Sequence, residues 1–174
     1  MEFTCQSEYN GKSMAVMAKA LRKTVRKKKS QRSNIFGWTV VGLGILMCMF
    51  DLSENGEISF RIVITGIAVL VILLTLLMED KINGYVARKR ILPGTERAET
   101  VFSEDGFCTT TQVGKTQWKY DKIQLAAESK EYFVFVFSTS HGQIYEKKHI
   151  QGGTLQEFRD FLEKKIGKPV QIIP

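Results

Sequence analysis

Two apolar stretches, separated by the short polar link SENGE (53–57), limit what this chain can become. The first covers residues 35–52 (IFGWTVVGLGILMCMFDL) and the second residues 58–78 (ISFRIVITGIAVLVILLTLLM). Each is close to the ~20 residues that a helix needs to cross a bilayer core. Joined by so tight a link, they predict a helical hairpin that crosses a membrane and returns. The segments on either side of it must then share one compartment. The mean hydropathy of -0.10 hides this, because polar flanks dilute the apolar blocks.

Charge placement sets the expected orientation. The net charge of +7 is carried entirely by residues 1–34, where nine bases meet two acids; the rest of the chain is balanced. Bases border both stretches on the outer sides of the hairpin, while the link region holds Asp51, Glu54 and Glu57. Basic flanks stay on the cytoplasmic side, so both termini are expected there. Arg61, within a turn of the second stretch's start, can extend to the interface. No ionisable residue lies near the centre of either stretch, which argues against an ion path or proton relay. A pI of 9.3 raises nucleic acid as a partner, but bases gathered against a span read better as a topology signal and a headgroup contact. No nucleic-acid partner is expected. Arg26, Lys27, Lys28, Lys29 and Arg32 before the hairpin, and Arg88, Lys89 and Arg90 after it, are the candidate contacts to anionic lipid.

Outside the hairpin the periodicity changes with position. Residues 2–9 (EFTCQSEY) place Phe3, Cys5 and Tyr9 on one face, the period of a half-buried strand. From residue 12 to about residue 29, Met14, Met17, Leu21 and Val25 recur at helical spacing, and the second half of this helix is densely basic. Such a helix can lie on an anionic leaflet or pack its stripe on the soluble domain, and the spacing suits both. Residues 79–92 predict a helical stalk, weakened at Gly84 and ended by Pro93-Gly94. Short strands follow at 99–103, 107–113, 115–120, 122–128, 131–138 and 143–149, with Gly-bearing turns between several of them. EYFVFVFS (131–138) is apolar on both faces and is expected to be the most buried. A last helix starts at Thr154, with Glu157 completing a capping box; its stripe is Leu155, Phe158, Phe161, Leu162 and Ile166, and Gly167 and Pro169 stop it.

Reactive chemistry is sparse. Cys5, Cys48 and Cys108 show no CxxC spacing, and His141 and His149 cannot form a metal site alone. Cys108 with either histidine is the sole nucleophile–base pairing to consider. A P-loop, a G-x-S-x-G elbow and H-E-x-x-H are all absent. No cofactor, metal or catalytic residue is expected. From Glu96 to Lys168, eleven bases balance eleven acids, so the C-terminal region has no overall field for phosphate; Lys119, Lys147 and Lys148 are only local clusters.

The set of features resembles the YcxB-like family of bacterial membrane proteins. The resemblance rests on the N-terminal strand and helix, the two-span hairpin, the turn-Gly strand SEDGFCTTT, the tryptophan strand TQWKYDKI, the aromatic strand EYFVFVF and the closing helix TLQEFRDFLEKK. It implies a pleckstrin-homology-like (PH-like) sheet and helix and a multi-pass location in the bacterial cell membrane. The expected fold is therefore an α+β membrane protein. It comprises a strand and basic amphipathic helix (1–33), a transmembrane hairpin (34–78), a juxtamembrane linker (79–95) and an antiparallel-sheet domain with a C-terminal helix (96–174). Six strands are lean for that sheet, so strand 2–9 is expected to complete it. The expected role is a membrane-anchored interaction or scaffolding module that touches membrane lipids. An accessory or regulatory subunit of a larger membrane complex is the alternative, with a surface enzyme third. A protein partner and self-association through the Gly-bearing spans both stay open.

Overall fold

A computed structural model describes residues 2–174. Strand β1 (Phe3–Glu8) is followed by helices α1 (Gly11–Lys23), α2 (Lys27–Asn55), α3 (Phe60–Leu77) and α4 (Glu79–Lys89). Then come β2 (Arg97–Phe102), β3 (Phe107–Thr110), β4 (Lys115–Trp118), β5 (Leu125–Glu128), β6 (Tyr132–Val136), β7 (Gly142–Glu146) and β8 (Ile150–Gln151), and finally α5 (Leu155–Ile166) and β9 (Gln171–Ile172). The architecture is mixed α+β, with two sheets in the orders β4-β3-β2-β1-β8 and β7-β6-β5-β9. The expected run of strands is thus divided between two sheets.

The strand at the N-terminus is interior to its sheet. β1 pairs antiparallel with β2 from Phe3↔Phe102 to Glu8↔Arg97, and its other edge takes β8. Alternation puts Phe3, Cys5 and Ser7 inward. Between the sheets lies an aromatic core of Phe3, Phe102, Phe107, Phe133, Phe135 and Tyr145. Helix α5 closes it: the ring of Phe158 meets Phe3 at 5.1 Å, Phe102 at 5.1 Å and Phe133 at 5.3 Å, all edge-on. These are the favoured geometries for aromatic pairs. Thr154 and Glu157 form the capping box at its start, and Gly167 ends it at φ 69°.

β6 is apolar on both faces because each face meets a different partner. Phe133 and Phe135 point into the aromatic core, while Val134 and Val136 belong to a second core with Leu125, Ala127 and Ile144. Ala20 and Leu21 of α1 are buried in that second core, and Met17 and Val25 pack against it. The apolar stripe of the first helix therefore lies on the domain.

Two departures concern this helix and the stalk. The helix expected to run from 12 to 29 stops at Lys23, and α2 starts at Lys27. At the junction the Thr24 hydroxyl donates back to Ala20 O at 2.7 Å, a side-chain bond that competes with continued helix. The Arg26 N–H then reaches Leu21 O, and that of Lys27 reaches Thr24 O. The basic run thus opens α2 instead of closing an amphipathic helix. The segment after the hairpin is helical, as α4, but it packs along α1 rather than standing free.

Helices α2 and α3 are both long and apolar enough to cross a membrane. Their outer faces are bare apolar surface, with Phe36 72% and Phe60 80% exposed. Glycines set the seam between them. A Cβ at Gly37 would come 2.7 Å from Leu76 Cδ2, and one at Gly44 would strike Val69. Val41 lies buried between these two positions. At the turn, Gly56 ends α2 at φ 65°. Ser59 caps α3 and donates to Asp51 at 2.7 Å, and Arg61 lies 3.8 Å from the same carboxylate.

Candidate functional site

The junction of α1, α2 and α4 gathers the charged residues at the root of the hairpin. α1 and α4 run antiparallel: Gly11 lies against Arg88, the Met14–Ala15 backbone against Gly84, and Arg22 against Asp80. Arg22 grips Asp80 through two bonds, Nε to Oδ1 at 2.6 Å and a second guanidinium nitrogen to Oδ2 at 2.5 Å, with Glu79 3.6 Å away. Such bidentate pairing fixes orientation as well as distance. Arg22 was not singled out in the sequence, because its partner sits beyond both apolar stretches.

The candidate lipid contacts separate into two groups. Arg26 is half-buried at the start of α2, where its Nε donates to the carbonyl of Thr139 in the β6–β7 loop. Lys27, Lys28, Lys29 and Arg32 are exposed on the first turns of α2. Arg88, Lys89 and Arg90 are exposed at the opposite end of α4 from the hairpin, on the order of 15 Å further along the helix at 1.5 Å per residue. There Lys89 Nζ stands 4.8 Å over the Tyr85 ring.

Two lysines of the local clusters on the sheet domain are neutralised. Lys148 pairs with Glu146 at 2.8 Å. Lys147 reaches Glu128 at 2.5 Å, and Arg159 of α5 reaches the same carboxylate through Nε and a second nitrogen, both at 2.8 Å. Burial raises the Glu128 carboxyl, but the bonds from Arg159 and Lys147 outweigh it and hold the group below its ordinary value of 4.5. A lowered folded pKa stabilises the fold fully above the unfolded value, and that contribution is lost as pH falls through the folded one. Glu128→Gln is therefore expected to cost about 2–3 kcal/mol at neutral pH, since it leaves two cations against a buried amide. Denaturant unfolding should show the gap to wild type closing as pH falls below the ordinary carboxylate range.

The Cys–His pairings do not form. Cys108 projects from the face of β3 opposite Phe107, two strands from β1, or about 10 Å. His149 Nδ1 lies 3.1 Å from Gln6 O on β1, and His141 stacks 5.7 Å from Trp118, whose register partner Phe107 faces the core. Cys5 is buried, and burial pushes its thiol up to about 12. Among the described residues no group of three His, Cys, Asp or Glu side chains is placed to hold a metal ion. Comparison with protein-family models, curated proteins and solved structures gives no match for this chain.

Proposed function

We propose that this protein is a membrane-anchored cytoplasmic interaction or scaffolding module that performs no chemistry of its own. The observation that carries the reading is the six-residue register between β1 and β2, the strands that bracket the hairpin. One folded unit thereby holds both roots of a two-helix apolar insert, which suits a domain fixed at a bilayer surface. Two packed sheets with one helix at their end support a PH-like reading of that unit. On the outer side of the first sheet, Gln6, Glu8, Glu99 and Thr110 line a depression of about 480 Å³ that suits a protein partner.

The proposed orientation puts both termini in the cytoplasm of a bacterial cell, because bases crowd the start of α2 while Glu54 and Glu57 lie at the hairpin turn. Cys5 is too buried to report on it. Single-cysteine variants at exposed positions test the reading directly. With an impermeant maleimide on intact cells, Glu54→Cys should label and Lys130→Cys should label only after permeabilisation. The reverse pattern, or equal labelling of both, defeats the proposal. An accessory-subunit reading is favoured by one observation: Gly42 and Gly66 face outward with nothing within 4 Å of a Cβ position, leaving both spans open to close helix contact. Recovery of a stoichiometric membrane partner in mild detergent would select it.

A further inference from the structure

We propose that the groove between the α1–α2 elbow and the C-terminal tail binds the phosphate of an anionic lipid headgroup. Three lysines from separate segments line it: Lys23 at the end of α1, Lys27 at the start of α2 and Lys168 just after α5. Thr24, Val25, Gln124, Leu125, Pro169 and Gln171 complete its walls, the groove holds about 570 Å³, and no carboxylate lines it. Some other lysines are matched with acids, as in Lys12–Glu131, Lys122–Asp121, Lys147–Glu128, Lys148–Glu146 and Lys165–Glu104. Among the described residues Lys23, Lys27 and Lys168 have no such partner. Lys168 is aimed by one bond, Nζ to Gln124 O at 3.0 Å, which leaves two of its three donors for a ligand. Three lysines along one groove with no carboxylate in its lining suit a phosphate diester, whose oxygens accept their hydrogen bonds.

Position selects the source of the phosphate. From Lys27 to Ile35, where the apolar stretch begins, is about 12 Å of helix. The headgroup layer occupies roughly 5–8 Å beyond each side of the hydrocarbon core. A lysine stem spans the remainder, so the groove opens at headgroup height. Soluble phosphate shares the chemistry but has no reason to be met there.

The lipid source rests on the membrane reading, and the two fail separately. Cysteine labelling tests the hairpin without the groove, whereas ligand-induced stabilisation of the full chain in non-ionic detergent tests the groove without a bilayer. The probes are short-chain phosphatidylglycerol, short-chain phosphatidylcholine and inorganic phosphate. The groove variant is Lys23→Gln/Lys27→Gln/Lys168→Gln, and the control Lys115→Gln/Lys119→Gln/Lys130→Gln removes equal charge from exposed positions of the sheet domain outside the groove. Phosphatidylglycerol should raise the Tm of wild type and control alike, with no rise from the other two probes. The groove variant should need roughly tenfold more lipid or worse, and Lys23→Gln alone roughly fivefold more. A groove variant that responds like wild type overturns the proposal, as does equal loss in the control. Inorganic phosphate matching the lipid, or no rise with any probe, overturns it as well.

Discussion

Deletion of residues 2–9 from the full chain is expected to yield protein that aggregates on extraction, with no cooperative unfolding transition. β1 is bonded on both edges, to β2 and to β8, so its loss opens a trough inside the five-stranded sheet. Phe3, wholly buried and in ring contact with Phe158 and Phe161, goes with it. Truncating such a phenylalanine alone costs about 3–5 kcal/mol, against a total of about 5–15 kcal/mol for an ordinary domain. Phe3→Ala should accordingly fold with a lowered Tm, while the deletion should not fold at all. Size-exclusion chromatography and thermal unfolding in detergent read both. A deletion variant with wild-type Tm would show that β1 is dispensable to the sheet.

The second large effect is expected at Gly84, and its sign is the test. In an exposed helix, Gly→Ala stabilises by about 1 kcal/mol. Here an added Cβ would lie 2.6 Å from the backbone N of Ala15 and 2.7 Å from its Cα. Backbone cannot swing aside as a side chain can, so α1 and α4 must part. Gly84→Ala is expected to destabilise by about 1–3 kcal/mol, and Gly84→Leu to free α1 from α4 altogether. Separation would also strain the Arg22–Asp80 pair and the seating of Ala20 and Leu21 on the second sheet. Hydrogen exchange across α1 should rise sharply in the leucine variant. A raised Tm for Gly84→Ala would mean that the two helices do not cross closely there.

Much of this fold could be read locally. The alternation of residues 3–8, the aromatic run of β6 and the Thr154–Glu157 box each state their own geometry, because strand period and capping chemistry involve near neighbours. Other features depend on distant partners. Thr24-Val25 carries neither Gly nor Pro, so the break between α1 and α2 follows from packing: the α1 stripe must follow the sheet while α2 turns into the hairpin. β8 and β9 are two residues each and exist through their pairing with β1 and β5. Gly84 reads as a weak point in a helix, and only the nearness of Ala15 gives it a use. At the site, the basic run was plain in the sequence, yet the quenching of Lys147 by Glu128 and the approach of Lys168 to the elbow were not. Both join residues from different elements.

Because β1 and β2 stand side by side but are made at opposite ends of the hairpin, the ribosome delivers the first long before the second. The N-terminal strand must wait, its inward face uncovered, until both apolar helices have been synthesised and β2 emerges. Closing the sheet therefore requires both ends of the helical hairpin to come back together.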